Sequence, residues 1–404
     1  MTRFKSNPTR TLLLYAQDNR GLGHINRTLT IARHILSAYP TLVAYIATKS
    51  PIGSLFTLPK RCDYIKTPTR LTVGAVSQTE EEEEAAKLRF RRIRSEILRE
   101  AVLGLAPELV LVDHEPLGSS GEFREGLYAL KAQCPGTKFV FGMRDIMDDA
   151  ARTRAQWREL GVYEAFEQVY DGIAVYGSSR LYDVAAAYAL PESVRPKLHY
   201  CGYVVRDGPT LNGAAVRERH GVSSDAPLLF AAVGSGYDGF PVLEATVNAF
   251  EGLRGQFPGL QAILVTGPFM PADQQAVLRA RAPEACRVLT QADNFELMGA
   301  ADAVVGMGGY NSVCEALAVG RPLVIVPRAT HKVEQQIRAE TLAAQGLARW
   351  VHPKELNGET LADAVAWALR CDRRDHAARV QGLIPSFDGA VQLTRYVSRW
   401  LGAG

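Results

Sequence analysis

Gly306-Met307-Gly308-Gly309-Tyr310-Asn311-Ser312-Val313-Cys314-Glu315 is the stretch whose reading decides the fold. Just before it runs Ala303-Val304-Val305, an apolar segment of the kind that forms a buried strand. After it, residues 313–319 have the spacing of a helix. The glycines permit positive φ angles and let a ligand approach the backbone closely. A helix opening on such a turn presents unpaired N–H groups and the positive end of its dipole, which together attract an anion such as phosphate. Ser312 and Glu315 also fit the S-x-x-E spacing of a capping box, in which Glu315 serves only its own helix. The decapeptide alone leaves both readings open.

Working outward, the same alternation of buried strand, turn and helix recurs on both sides. Downstream, Gly320-Arg-Pro leads into a strand at 322–326, then Pro327, then polar residues through His331, Glu334, Gln335 and Gln336 that open another helix. Upstream, a strand at 227–233 ends in Gly234-Ser235-Gly236, followed by a helix at 243–253 and strands at 261–266 and 287–289. The N-terminal half repeats the scheme, with strands at 11–16, 42–47, 109–113, 138–142 and 172–176 and a first helix at 25–39 behind the turn Gln17–His24. Strands joined through helices by short connections make parallel sheets. A cluster of Gly, Pro, Asn and Asp over 206–213 interrupts the pattern as a linker does. The expected architecture is therefore α/β with two Rossmann-like domains at 1–206 and 214–386, a linker at 207–213, and a terminal amphipathic helix within 387–404 that packs back on the first domain.

The 404 residues suit two domains, and 47% hydrophobic content supplies two cores. A net charge of +3 argues against a nucleic-acid partner, which calls for a concentrated basic stripe. The six cysteines are scattered with no C-x-x-C pair, and Cys201, Cys286 and Cys314 sit in or beside apolar runs. That pattern fits buried thiols in a reducing compartment. The first residues lack a signal-peptide core and no apolar run is long enough to span a bilayer, so a cytoplasmic protein is expected. Within 78–105, an acidic run precedes a helix carrying Lys87, Arg89, Arg91, Arg92, Arg94 and Arg99. A solvated face is the favoured reading; a basic patch over 87–104 in peripheral contact with a membrane surface is the alternative.

Over 302–346 the sequence resembles the GT-B glycosyltransferases, in particular the family 28 group around the N-acetylglucosaminyltransferase of bacterial peptidoglycan synthesis. Nearest within that group is a branch of predicted bacterial glycosyltransferases. The resemblance is carried by the apolar strand, the Gly-rich turn, Val313-x-Glu315, the Gly320-x-Pro322 strand and His331-Lys332-x-x-Gln335-Gln336, in the family's order. It implies two domains facing each other across a cleft. It further implies that backbone amides of Gly308, Gly309, Tyr310, Asn311 and the Ser312 helix end hold a donor diphosphate, and that Glu315 accepts hydrogen bonds from the ribose hydroxyls. Gln335 and Gln336 would contact the donor sugar, with His331 and Glu334 beside them. The family usually has Arg or Asp where this chain has Glu334. Gly234, Ser235 and Gly236 would close on the diphosphate from the other side.

His24 follows Gly23 where α/β sheets place ligands, and its imidazole can take a proton near neutral pH. The resemblance implies a general base at this turn, oriented by an aspartate from a later strand. Asp113 is the candidate partner, within Asp113-His114-Glu115 at the end of a strand. Gly23, His114, Glu115, Arg144 and Asp145 are acceptor-side candidates; the family often has a His-Glu pair at 144–145, which this chain lacks. An Asp113 that merely caps its turn and a His24 that merely starts its helix are the plain structural alternatives. No D-x-D or H-x-x-x-H spacing is present, so no metal and no cofactor are expected beyond a nucleotide-sugar co-substrate, a UDP- or dTDP-sugar. The function expected is inverting, metal-independent transfer of a hexosyl or N-acetylhexosaminyl group from that donor to the hydroxyl of a small-molecule or lipid-linked acceptor. A nucleotide-sugar 2-epimerase and a non-catalytic nucleotide-sugar binding protein are the competing readings.

Overall fold

The computed structural model describes residues 10–16, 23–50, 57–69, 79–208, 211–328 and 333–402. The chain forms two compact units: Met1–Gly177 with Asp183–Val204 and Asp388–Gly404, and Ser178–Tyr182 with Val205–Phe387. The short piece Ser178–Tyr182 groups with the second unit because Ser178 Oγ and Arg180 Nη1 donate to Leu383 O and Gly382 O, each at 2.6 Å.

The first unit holds seven parallel strands: β1 (Arg10–Ala16), β2 (Leu42–Thr48), β3 (Cys62–Lys66), β4 (Leu109–Asp113), β5 (Lys138–Arg144), β6 (Gly172–Tyr176) and β7 (Leu198–Tyr200). Their order is β3-β2-β1-β4-β5-β6-β7. The continuous apolar runs are the inner strands: Leu12, Leu13, Leu14, Val110 and Val112 are fully buried, as a sheet covered on both faces demands. The chain starts at β1, winds one way through β2 and β3, then resumes on β1's other side at β4. Connections thus diverge between β1 and β4, which opens a crevice at their carboxyl ends. Ala16 pairs in register with Asp113, so the segments leaving the two strands emerge side by side.

Helix α1 (Gly23–Ala38) follows β1 and buries Ile25, Leu29, Ala32, Ile35 and Leu36 at helical spacing. Helix α2 (Glu80–Leu105) is started by a true capping box, Thr79 Oγ1 on Glu82 N at 3.2 Å and Glu82 Oε2 on Thr79 N at 3.1 Å. Its acidic first turn complements the helix dipole. Its basic residues are largely paired: Lys87 with Glu83 and Glu84, Arg92 with Glu96, Arg99 with Glu100, and Arg94 with buried Glu122. Such pairing suits a solvated face better than a membrane-seeking patch.

The second unit repeats the scheme with β8 (Leu228–Ala232), β9 (Gln261–Val265), β10 (Cys286–Leu289), β11 (Ala303–Gly306), β12 (Leu323–Ile325) and β13 (Ala348–Trp350), in the order β10-β9-β8-β11-β12-β13. Again the winding reverses between the first strand, β8, and its neighbour β11, and Ala232 pairs with Gly306. The turns Gly234–Gly236 and Gly306–Gly309 therefore leave the sheet together. The helices that bear on them are α3 (Asn294–Ala300), α4 (Tyr310–Ala318) and α5 (Glu334–Ala344). Helix α4 starts three residues earlier than its sequence spacing predicts, with Gly309 as N-cap and no side-chain cap. Ser312 is then inside the first turn, and a capping box between Ser312 and Glu315 does not form.

The last helix, α6 (Gly389–Leu401), belongs to the first unit, where it packs on α1. Gly389 N donates to Tyr203 O at 3.0 Å, and Tyr396 stacks on His199 with centroids 4.3 Å apart. All six cysteines are free thiols. No helix among the described residues is long and apolar enough to cross a membrane.

Candidate functional site

In the first unit, the crevice between β1 and β4 holds a compact polar cluster. His24 is the second residue of α1 and Asp113 the last of β4, so both stand at the carboxyl edge of the sheet. His24 Nδ1 lies 2.8 Å from Asp113 Oδ2. The carboxylate is also gripped by Arg27, one turn along α1, whose Nη2 reaches Oδ2 at 2.7 Å and Oδ1 at 3.0 Å, with Nε on Oδ1 at 3.1 Å. Asp113 and Arg27 side chains are 3% and 2% exposed, His24 18%, so only the histidine is open to a reactant.

Burial alone would raise the Asp113 carboxyl, but the Arg27 charge and the His24 contact hold it down at about 2. It is therefore an acceptor only, and His24 Nδ1 must carry the proton that points at it. Arg27 Nη2 also sits 2.9 Å from Nδ1, but a protonated Nδ1 cannot accept, so that approach is an electrostatic contact. Nε2 is then the basic nitrogen. Burial lowers the imidazole to about 4, with Arg27 and Arg144 adding to the shift and Asp113 opposing it, so His24 is neutral at pH 7.

The remaining acceptor-side candidates divide. His114, at φ 70°, lies against His24 with ring centroids 4.5 Å apart, and Arg144 Nη2 comes within 3.3 Å of its Nδ1. These two extend the cluster along the strand ends. Glu115 closes the turn after β4, its N–H on Asp113 O at 2.9 Å. Asp145 is built into the fold: Tyr203 O–H donates to one oxygen and Ile146 N–H to the other. Gly23 opens α1.

In the second unit, Gly308 has φ 78°, and a Cβ there would come 2.8 Å from Ile325 Cγ2. Arg338 of α5 fixes this turn, donating from Nη1 to Gly308 O at 2.6 Å and lying 5.8 Å from the Tyr310 ring centroid. With that carbonyl held, α4 begins at Tyr310 behind Gly309, with no side-chain cap, and its first-turn amides face the turn. Around Gly309 nothing comes within 4 Å of an added Cβ, so the approach is open. On the neighbouring turn Gly234 and Gly236 have φ 64° and 91°, and Ser235 O accepts from Phe269 N at 2.9 Å.

Glu315 lies one turn into α4, 14% exposed, and accepts from Arg206 Nε at 3.0 Å. The same guanidinium forks onto Asp293, which caps α3 through Phe295 N and Glu296 N, and lies over the Phe295 ring at 5.2 Å. Burial raises the Glu315 carboxyl despite Arg206. The two glutamines separate: Gln335 sits against Gly308, its Oε1 accepting from Arg328 N at 2.9 Å, whereas Gln336 pairs with Glu340 at 2.9 Å. Glu334 begins α5, and His331 lies outside the described residues. Among the described residues no group of three or more His, Cys, Asp or Glu is placed to hold a metal ion.

Residues 230–379 match the family model of the glycosyltransferase family 28 C-terminal domain. The second unit carries a family 28 C-terminal domain. Over 98% of its length the chain superposes on the whole of the glycosyltransferase of kitacinnamycin, with a TM-score of 0.69 at 16% identity. The fold of this family 28-like chain is accordingly GT-B. An uncharacterised glycosyltransferase of Methanosarcina acetivorans is 24% identical over 53% of this chain and 56% of its own length. A UDP-N-acetylglucosamine–N-acetylmuramyl-(pentapeptide) pyrophosphoryl-undecaprenol N-acetylglucosamine transferase of Lachnoclostridium phytofermentans is 35% identical over 17% of this chain and 20% of its own. The chain thus aligns with about half the length of the first of these curated relatives and a fifth of the second.

Two residues of these clusters are absent from the candidates the sequence offers. Arg27 reads in the sequence as one more polar position on a helix; the His24-x-x-Arg27 spacing, one helical turn, is the signal that places it beside the histidine. Arg206 falls at the start of the linker cluster, where local composition gives no hint of a partner 109 residues away.

Proposed function

We propose that this chain is an inverting, metal-independent glycosyltransferase that moves a sugar from a nucleoside-diphosphate donor to an acceptor hydroxyl. The observation that carries the proposal is the His24–Asp113 contact at 2.8 Å, with Nδ1 committed to the carboxylate and Nε2 without a hydrogen-bond partner among the described residues. Nε2 takes the proton of the acceptor hydroxyl as that oxygen attacks the anomeric carbon. The Asp113 carboxylate stabilises the imidazolium that forms, offsetting part of the basicity lost to burial. A single displacement from the face opposite the leaving group inverts the anomeric centre.

The nucleoside diphosphate departs onto the amides of Gly309, Tyr310, Asn311 and Ser312. There the helix dipole and fixed N–H donors stabilise the leaving charge without a metal ion. Glu315 holds the ribose hydroxyls once Arg206 shares or releases it, and Gln335, beside Gly308, faces the donor sugar. The family 28 domain supports a nucleotide-sugar donor, and the UDP-sugar named for the Lachnoclostridium relative makes a UDP-sugar the first donor to try, with a dTDP-sugar second. That relative's name likewise puts a lipid-linked acceptor ahead of a free small molecule.

A thermal-shift panel of nucleoside diphosphates names the donor class, since a ligand at 100 times its Kd stabilises the fold by about 2.7 kcal/mol. His24→Ala is then expected to cut turnover by roughly 10²–10⁴-fold while leaving nucleotide binding intact, the usual contribution of a general base. Full turnover by that variant would refute the assignment.

A further inference from the structure

At the edge of the second sheet opposite its glycine turns lies a cavity of about 750 Å³. Its walls come from places where strands begin: Pro227 precedes β8, Asp302 precedes β11 and Arg321 leads into β12. Three guanidinium groups line it, Arg217, Arg321 and Arg373, with Asp302 as the inner carboxylate. Asp302 is engaged on both oxygens, since it accepts from Arg217 Nη2 at 3.0 Å and Leu228 N at 2.6 Å and pairs with Arg373.

A purely structural role explains part of the cluster. Arg217 spends its other N–H groups on Ala300 O, Ser223 O, Ser224 O and Ala226 O, and Arg321 caps the end of α3 through Met298 O and Gly299 O. It does not explain Arg321 Nη1 or Arg373 Nε and Nη1, which make no hydrogen bond among the described residues. Arg373 is 48% exposed, so those donors are reachable, and it opens a helix of eleven residues whose N-terminus is capped by Asp372. The other acids on the wall, Glu218 and Asp225, are exposed at the rim, where water screens them. Burial, and then the neighbouring Arg217 charge, lowers the pKa of both Arg321 and Arg373.

We propose that this cavity is a second ligand site, separate from the donor turn, that binds a phosphate ester with a small apolar body. Guanidinium forks match phosphate oxygens in geometry and charge, and Phe257, Val222 and Leu369 supply an apolar wall for the ester group. The site is independent of sugar transfer and stands or falls whatever reaction the chain performs.

Cys371 lines the same cavity and is partly exposed, so it reports occupancy directly. The full chain is labelled with N-ethylmaleimide, and modification of Cys371 is followed by peptide mass spectrometry with Cys62 and Cys134 as internal references. Inorganic phosphate is expected to slow Cys371 labelling saturably and to leave the references unchanged, and phenyl phosphate to do so at lower concentration. Arg373→Gln is expected to raise the half-protecting concentration about tenfold, the loss of one charge-assisted contact. Glu315→Ala, which alters the donor site, is expected to leave it unchanged. No saturable protection, equal protection by sodium chloride at matched ionic strength, or an unchanged Arg373→Gln would overturn the site. The wild-type labelling arm stands even if that variant folds poorly.

Discussion

At the residue scale, one carboxylate serves two partners with different purposes. Asp113 fixes the tautomer of His24, and Arg27 keeps Asp113 ionised while helping to hold His24 neutral. The sign of the pH dependence follows. The base must be unprotonated, so turnover is lost as pH falls through the His24 pKa of about 4, well below the ordinary 6.5. Arg27→Gln removes a charge that lowers that pKa, so the acid limb of kcat/KM should move up toward neutrality, as a pH–rate profile would show. An unmoved limb would mean that Arg27 does not act on His24. The same change leaves Asp113 buried without its ion-pair partner and should destabilise the fold by about 3–5 kcal/mol, measurable by urea unfolding. Arg27→Lys, which keeps the charge, should restore much of both. In the second unit Glu315→Ala should weaken nucleoside-diphosphate binding by about 1–3 kcal/mol, the cost of losing one partner of buried hydrogen bonds. It should barely alter stability, because Arg206 keeps Asp293. Calorimetry showing unaltered affinity would remove Glu315 from the nucleotide site.

At the element scale, the turn into α4 separates backbone need from ligand need at adjacent glycines. Gly308→Ala forces a side chain into φ 78° and against Ile325, so it should cost about 1–3 kcal/mol of stability. Gly309 has φ −61° and open space about its Cα, so Gly309→Ala should fold with an unchanged midpoint. If the amides there receive a diphosphate, the added methyl should still weaken nucleotide binding by about tenfold or more, because the anion must approach that backbone closely. Equal affinity in Gly309→Ala by fluorescence titration would place the phosphate elsewhere. Legibility in the sequence followed burial. Strands β1, β4 and β6 were readable because both faces are covered and the run is apolar throughout, whereas β3, β7 and β13 are partly exposed and carry no such run, the last two over only three residues each. The glycine turns and His24 were visible because little else explains those residues after a strand. The S-x-x-E spacing left two readings of Glu315 open because propensity cannot tell which of several polar residues starts a helix after glycines, and the helix begins at Tyr310. Arg27 and Arg206 were hidden because their partners are remote in sequence.

At the scale of the whole molecule, the path of the chain makes the first unit depend on its last residues. The polypeptide leaves that unit after Val204, builds nearly all of the second, and returns at Asp388, where Val204 and Asp388 form an isolated antiparallel bridge. Helix α6 then covers α1 with Leu393, Val397 and Leu401, all but fully buried, and Arg10 at the start of β1 donates to Leu401 O. Burying each such side chain is worth about 1.5–3 kcal/mol, so removing three of them takes away a large part of a typical domain's stability. Deletion of residues 389–404 should therefore loosen α1 and β1, the elements that present His24, although they lie at the other end of the sequence. The core of the second unit contains no residue of that helix, so nucleoside-diphosphate binding should persist in the truncated chain. Hydrogen exchange resolves the two units directly, with protection expected to fall across 10–38 and to hold across 228–326. Uniform protection in the truncated chain would show that α6 is dispensable to the first unit, and loss of protection in both would show that the two units unfold as one.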